Sequence, residues 1–265
     1  MAADRIPILL YHGVGPPAGD RFTVSVARFA RHLDAVVASG RSAYTIGALT
    51  ARRPMPASAV AITFDDGTAD FAAHAWPLLR ERGLSATLFV TSGLVGGAHL
   101  GRPMLDWEQL RALRDEGVQI GAHAHRHVAL DVLPPHDAAR ELVTSKLVLE
   151  DALQVEIDTF AYPFGYHTAL VKRLAARAGF RAACAVRNAL SHPDDDRFAL
   201  ARMMITADTT GAQIAALMDG RGPVAAPREL TRTRAWRLYR RIRSTRLTVR
   251  RIAASAAVSG SRSNV

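Results

Sequence analysis

Short apolar and β-branched runs alternate along this chain with longer stretches whose apolar residues recur at helical spacing, the pattern of an α/β fold with mainly parallel strands. The runs predict strands at 6–11, 60–64, 86–90, 119–122, 159–161, 182–186 and 198–203, and seven strands in this alternation predict a barrel. Helical periodicity covers 26–38, 69–82, 107–116, 136–152, 168–178 and 210–218. Several of these segments end at a glycine (Gly40, Gly83, Gly117, Gly179), as left-handed C-caps require. No internal repeat is visible.

The pattern changes near 219–227, where two glycines and two prolines predict a linker. A chain of 265 residues with 49% hydrophobic content holds one domain with a sizeable core. The expected organisation is therefore a globular domain over 1–220 and an arginine-rich tail over 221–265, helical in part (229–252) and frayed over 253–265.

The formal charge of +10 resembles a nucleic-acid footprint until its distribution is read. Twelve arginines and a single acid, Glu229, follow residue 220, leaving 22 basic and 23 acidic groups before it. The domain is thus near neutral, which argues against nucleic acid as its partner. Trp236, Leu238 and Ile242 interrupt the basic tail and suit peripheral contact with a membrane surface, while a solvated basic extension accounts for it equally. The single cysteine, Cys184, excludes an internal disulfide. The apolar run at 6–11 is too short for a signal-peptide core or a membrane span, so the expected location is cytoplasmic, with the tail allowing a membrane-peripheral one.

Three segments carry chemistry. The first is Thr63-Phe64-Asp65-Asp66-Gly67, where an apolar strand ends in two adjacent carboxylates that are costly to bury unpaired. At the C-terminal end of a parallel strand, one aspartate can ligate a metal while its neighbour faces substrate as a base; a turn or helix cap accounts for the dipeptide taken alone. The second is His123-Ala124-His125-Arg126-His127, whose outer histidines converge on one ion if the backbone makes a helical turn, with His125 pointing elsewhere. With Asp66 they form a set of two imidazoles and one carboxylate suited to Zn²⁺ or Fe²⁺. The third is Thr159-Phe160-Ala161-Tyr162-Pro163-Phe164-Gly165, a strand stopped by a tight loop able to aim an N–H at an oxyanion and an aromatic ring at a sugar.

In their order and spacing these three segments resemble the motifs of the polysaccharide deacetylases, the NodB-homology carbohydrate esterases, over roughly residues 6–218. The stretches around Ala86-Thr87-Leu88-Phe89-Val90, Leu105-Asp106-Trp107, Glu141, Ser145-Lys146 and Leu200-Ala201-Arg202 resemble the family's context. The resemblance implies a distorted (β/α) barrel and hydrolysis of N-acetyl groups from an amino sugar, oligosaccharide or polysaccharide. It assigns Asp65 as base, Asp66, His123 and His127 as ligands of a divalent metal (Zn, with Co, Ni, Fe or Mn as alternatives), and the Phe164 N–H as oxyanion donor. Tyr162 and Trp107 are expected along the substrate.

Two departures stand out. No histidine follows His192, whereas the family's commonest pattern places a general acid late in the chain; Tyr11-His12 resembles the permuted arrangement in which an N-terminal histidine takes that role. Ala161 occupies a position where many relatives carry an arginine beside the base, and Arg202 is the expected substitute on topological grounds. These departures leave two alternatives: a catalytically silent carbohydrate-binding relative, and a deacylase for a non-sugar amide or an O-acetyl ester.

Overall fold

A computed structural model describes residues 5–16, 19–223 and positions 236, 239 and 240. Seven parallel strands form one curled sheet: β1 (Ile8–Tyr11), β2 (Ala59–Phe64), β3 (Thr87–Val90), β4 (Gln119–Ala122), β5 (Thr159–Ala161), β6 (Ala182–Cys184) and β7 (Met203–Met204). Their order across the sheet is β6-β5-β4-β3-β2-β1-β7, with the short strand Ser42–Ala43 also pairing with β2. The central strand β2 reads AVAITF and is buried along its whole length, as a strand covered on both faces must be.

The last strand is shorter than its sequence pattern. The predicted span 198–203 splits because its residues serve both edges of the sheet: Leu200 bridges in parallel to Cys184 beyond β6, while Met203 pairs with Leu9 of β1. Arg202 lies between these two pairings and is completely buried.

The helices pack around this sheet: α1 (Val26–Ala38), α2 (Ile46–Thr50), α3 (Trp76–Glu81), α4 (Trp107–Asp115), α5 (Pro135–Leu153), α6 (Ala169–Arg177) and α7 (Gly211–Met218). Side-chain caps begin several of them. Ser25 accepts from Arg28 N ahead of α1, and the capping boxes Asp106/Gln109 and Thr210/Gln213 start α4 and α7. The apolar stripe of α1, Phe29, Leu33 and Val36, joins the main core together with Val60, Ile62 and Leu88 of the sheet.

One predicted helix, 69–82, is not uniform. A π-helical turn (Phe71–Ala75) precedes α3, and Pro77 lies at the junction, where its missing N–H removes one bond of the regular α-helical ladder. The hairpin made by Ala98–His99 and Arg102–Pro103 has no clear signal in the sequence. The start of the linker packs on the domain, with Leu190 N donating to Pro223 O at 2.8 Å. The tail expectations fall outside the described residues, apart from the helical positions Trp236, Tyr239 and Arg240. Among the described residues no helix is long and apolar enough to cross a membrane.

Candidate metal and catalytic site

The chemistry-bearing residues gather where parallel strands end, the position at which α/β sheets expose their loops. His12 follows β1, Asp65 and Asp66 follow β2, His123 follows β4, and the Pro163–Gly165 turn follows β5.

The two adjacent carboxylates occupy different environments because the backbone turns between them. Asp66 adopts φ 75°, a left-handed conformation uncommon outside glycine, so its side chain diverges from that of Asp65. Asp65 faces Arg202: Nη1 donates to Oδ1 at 2.6 Å and Nη2 to Oδ2 at 2.7 Å. The rest of the guanidinium donates to Ala185 O at 3.1 Å and Thr63 Oγ1 at 3.3 Å. Burial opposes ionisation of Asp65, but the charge and hydrogen bonds of the Arg202 guanidinium hold its carboxyl below the usual carboxylate range.

Asp66 faces the histidines. Its Oδ1 lies 3.2 Å from His127 Nε2 and 3.5 Å from His123 Nε2, yet forms no hydrogen bond of acceptable geometry. Burial opposes its charge as well, and the three histidines His127, His123 and His12 outweigh that and lower its pKa. His123 donates from Nδ1 to Ala161 O at 2.8 Å, which fixes the tautomer and leaves the Nε2 lone pair directed at Asp66. Burial pushes the His123 imidazole down to about 4, so the ring is neutral near pH 7.

This donor set fits a divalent metal ion. Ligand atoms of Asp66, His123 and His127 all lie within 4.8 Å of one another. In a tetrahedral site with bonds of about 2.0–2.1 Å, neighbouring ligand atoms sit about 3.3–3.4 Å apart, and the 3.2 and 3.5 Å separations straddle that value. A buried carboxylate oxygen lacking a hydrogen-bond partner is what an ion would satisfy.

The histidines do not converge through a helical turn. The segment is an irregular bend with Ala124 at φ 63° and His127 at φ 55°. It is pinned from outside by Glu141 of α5, a residue the sequence marked only as context. Glu141 Oε2 accepts the N–H groups of His125 (3.1 Å) and Arg126 (2.9 Å), and Oε1 accepts Arg126 Nε at 2.6 Å. Ser92 Oγ pairs with His125 Nδ1 at 3.0 Å, and Gly93 N donates to His125 O at 2.9 Å. A side chain at residue 93 would collide with that carbonyl, its Cβ falling 2.5 Å away.

The His127 ring is clasped on two sides, by His99 (centroids 5.2 Å apart) and by Phe164 (4.9 Å). His99 belongs to the unpredicted hairpin, whose tip, Leu100, projects into solvent. Between this hairpin and the segment around Phe22 lies an open cleft lined by His12, Asp20, Phe22, Asp66, Thr68, His99, Leu100 and Arg102. His12 packs on the Phe22 ring at 5.1 Å, and its buried Nδ1 has no hydrogen-bond partner.

The third segment divides its residues between surface and interior. Phe164 stands at φ 60° with its ring 57% exposed beside His127. Tyr162, expected along the substrate, is instead fully buried: its hydroxyl donates to Phe198 O at 3.1 Å, its N–H to Cys184 O at 3.0 Å, and its ring stacks on His167. It supports the loop from beneath and has no face left for a ligand. Gly165 could not be replaced, since a Cβ there would meet Val186 N at 2.5 Å. Trp107 is half-buried at the first position of α4 and packs against the main core. Cys184 is buried, and its thiol is pushed up to about 12 by burial, so it is no nucleophile.

Comparison with known proteins bears on the family and the fold. The Polysaccharide deacetylase family model matches residues 52–183. YxkH of Bacillus subtilis (strain 168), named for the same family, is 25% identical over 219 residues, covering 81% of this chain and 76% of that protein. Chitin deacetylase 1 of Cryptococcus neoformans var. grubii is 31% identical over 149 residues, 55% of this chain and 30% of the fungal protein. The solved structure of IcaB from Ammonifex degensii superposes with a TM-score of 0.73 at 27% identity, over 82% of this chain and 97% of that one.

Proposed function

With residues 52–183 belonging to the polysaccharide deacetylase family, we propose that the chain is a divalent-metal-dependent hydrolase that releases acetate from N-acetylated amino-sugar polymers or oligomers. The observation that carries this reading is the division of labour between two neighbouring carboxylates. Asp65 is held ionised by the Arg202 fork, and Asp66 Oδ1 is turned toward two imidazole nitrogens. General base and metal ligand are thus separated at adjacent positions.

Asp66, His123 and His127 would hold the ion, and two imidazoles with one carboxylate suit Zn²⁺, with Co²⁺, Ni²⁺, Fe²⁺ or Mn²⁺ as alternatives. Such an ion, when bound, polarises the acetamide carbonyl and acidifies the attacking water. Asp65 takes the proton from that water as oxygen attacks the acetyl carbon. Arg202 positions Asp65 in the place of the arginine absent at Ala161, and its fork fixes the carboxylate plane. The Phe164 N–H, presented by the left-handed turn, donates to the oxyanion as the carbonyl becomes tetrahedral. His12, facing the same cleft, delivers a proton to the amine nitrogen as the carbon–nitrogen bond breaks. The products are acetate and a free amino sugar. The catalytic unit in this reading is 1–220, with 221–265 an appended basic tail.

The experiment is acetate release from N-acetylglucosamine oligomers by the wild type and by Asp65→Asn. Release by the wild type and its loss in the variant support the reading. Absence of release from folded, metal-loaded wild type that still binds the oligomers moves the site to carbohydrate binding without turnover.

A further inference from the structure

Beyond the residues that match the family, Trp236 and Arg240 lie against the loops of the site. Trp236 donates its indole N–H to the Tyr166 hydroxyl at 3.3 Å, and the Arg240 guanidinium covers the Tyr166 ring 4.0 Å from its centroid. The same guanidinium reaches the Asp131 carboxylate, with Nη2 to Oδ1 at 3.1 Å and Nη1 to Oδ2 at 3.4 Å. Tyr166 immediately follows the turn that presents Phe164, and Asp131 lies in the short helical turn Leu130–Val132 that follows His127. Both anchors therefore belong to the loops that carry site residues.

Trp236 and Tyr239, one helical turn apart, stack with ring centroids 5.4 Å apart and planes 20° from parallel. Each is about half exposed, at 49% and 51%. Among the described residues, the phenylalanine, tyrosine and tryptophan side chains exposed this far are these two and Phe164 at 57%. Trp236 and Tyr239, anchored on Tyr166 two residues after the exposed Phe164, present apolar area that a partner normally covers. Their outer faces suit the C–H faces of pyranose rings, which lie flat against aromatic planes, and the ordered indole adds little conformational cost on binding.

We propose that Trp236 and Tyr239 form a second carbohydrate-binding site, a platform on which sugar rings of a polymeric substrate lie as the chain leaves the reactive centre past Phe164. The proposal rests on the polymer-deacetylase reading above. It favours a glycan over an anionic membrane because Arg240 is engaged inward, on Asp131 and Tyr166, instead of facing outward to phosphate groups. It also gives the segment after residue 220 a role tied to the length of the substrate.

Calorimetric titration with the disaccharide and with longer N-acetylglucosamine oligomers tests the platform, using Asp65→Asn protein with and without the added changes Trp236→Ala and Tyr239→Ala. The added changes raise the Kd for long oligomers about tenfold, the worth of one good aromatic contact, and leave that for the disaccharide unchanged. Trp236→Phe with Tyr239→Phe, which keeps both rings, retains long-oligomer affinity. Equal weakening for short and long oligomers, or none for either, overturns the platform. Loss of binding to phosphatidylserine vesicles with intact oligomer affinity overturns it in favour of a membrane surface. The two readings fail separately: acetate release and oligomer binding that ignore the added changes remove only the platform, whereas no oligomer binding and no acetate release by the wild type remove both.

Discussion

The guanidinium of Arg202 and the carboxylate of Asp65, 137 positions apart in the chain, meet through two parallel hydrogen bonds, the guanidinium fully buried and the carboxylate 3% exposed. Removing one member of a buried pair leaves the other charged and uncompensated, at a typical cost of about 3–5 kcal/mol. Arg202→Ala is expected to lose stability of that order in urea unfolding. Arg202→Lys keeps the charge without the fork, so it is expected to stay folded and bind metal while kcat falls with KM little changed. An Arg202→Lys enzyme with wild-type kcat would show that the fork does not serve the base.

Glu141 holds the bend between His123 and His127, the two histidines proposed to bind metal, by accepting two backbone N–H groups on one oxygen. Glu141→Gln turns one of its oxygens into a donor and cannot reproduce all three contacts. Loss of such supporting contacts typically weakens metal affinity about 10–100-fold. Competition with a chromophoric chelator measures this, and Leu33→Ala, a cavity in the core away from the loop, controls for general destabilisation. Unchanged affinity in Glu141→Gln would reduce the residue to a packing role.

His12 faces the cleft with a buried nitrogen that no protein group satisfies. His12→Gln is expected to lower kcat by about 10²–10⁴, the usual worth of a positioned acid, while metal affinity is retained. A small fall in kcat accompanied by a large rise in KM would make His12 a substrate contact instead.

Burial lowers the pKa of His123 from 6.5 to about 4, and burial lowers that of His32 as well. A histidine whose folded pKa lies below its unfolded value is protonated more readily in the unfolded chain. Its contribution to stability is therefore complete above pH 6.5 and is lost as the pH falls toward about 4. Asp65 and Asp66, whose folded pKa values are also depressed, add losses at still lower pH. Thermal melts of chelated protein should show Tm falling through the upper window, and His123→Gln should flatten that slope while leaving the part due to His32. An unchanged slope in His123→Gln would mean that the ring is not held neutral by the fold.

Much of the site was legible because its parts lie at strand ends within short stretches of sequence. Asp65-Asp66 and His123 with His127 are local patterns, and parallel topology brings such ends together whatever the loops between them do. Side-chain direction was less legible. Tyr162 and Phe164 sit two apart in the same loop, yet the positive φ at Phe164 sends one ring out and leaves the other in the core. Contacts that join distant segments left no local trace: Glu141 grips residues 125 and 126 from another helix, and His99 meets His127 from a hairpin with only faint strand propensity. The last strand is shorter than its hydrophobic pattern because its residues divide between two sheet edges, a tertiary fact that the pattern does not encode.

Whether Asp66, His123 and His127 hold an ion beside an ionised Asp65 base is read by titrating chelated protein with Zn²⁺ while following bound metal and acetate release from an N-acetylglucosamine oligomer together. In the wild type both should rise together and saturate at one ion per chain. Asp65→Asn should bind the ion normally and release no acetate, and His127→Ala should lose both. Acetate release by chelated protein, or by Asp65→Asn at the wild-type rate, would contradict the account.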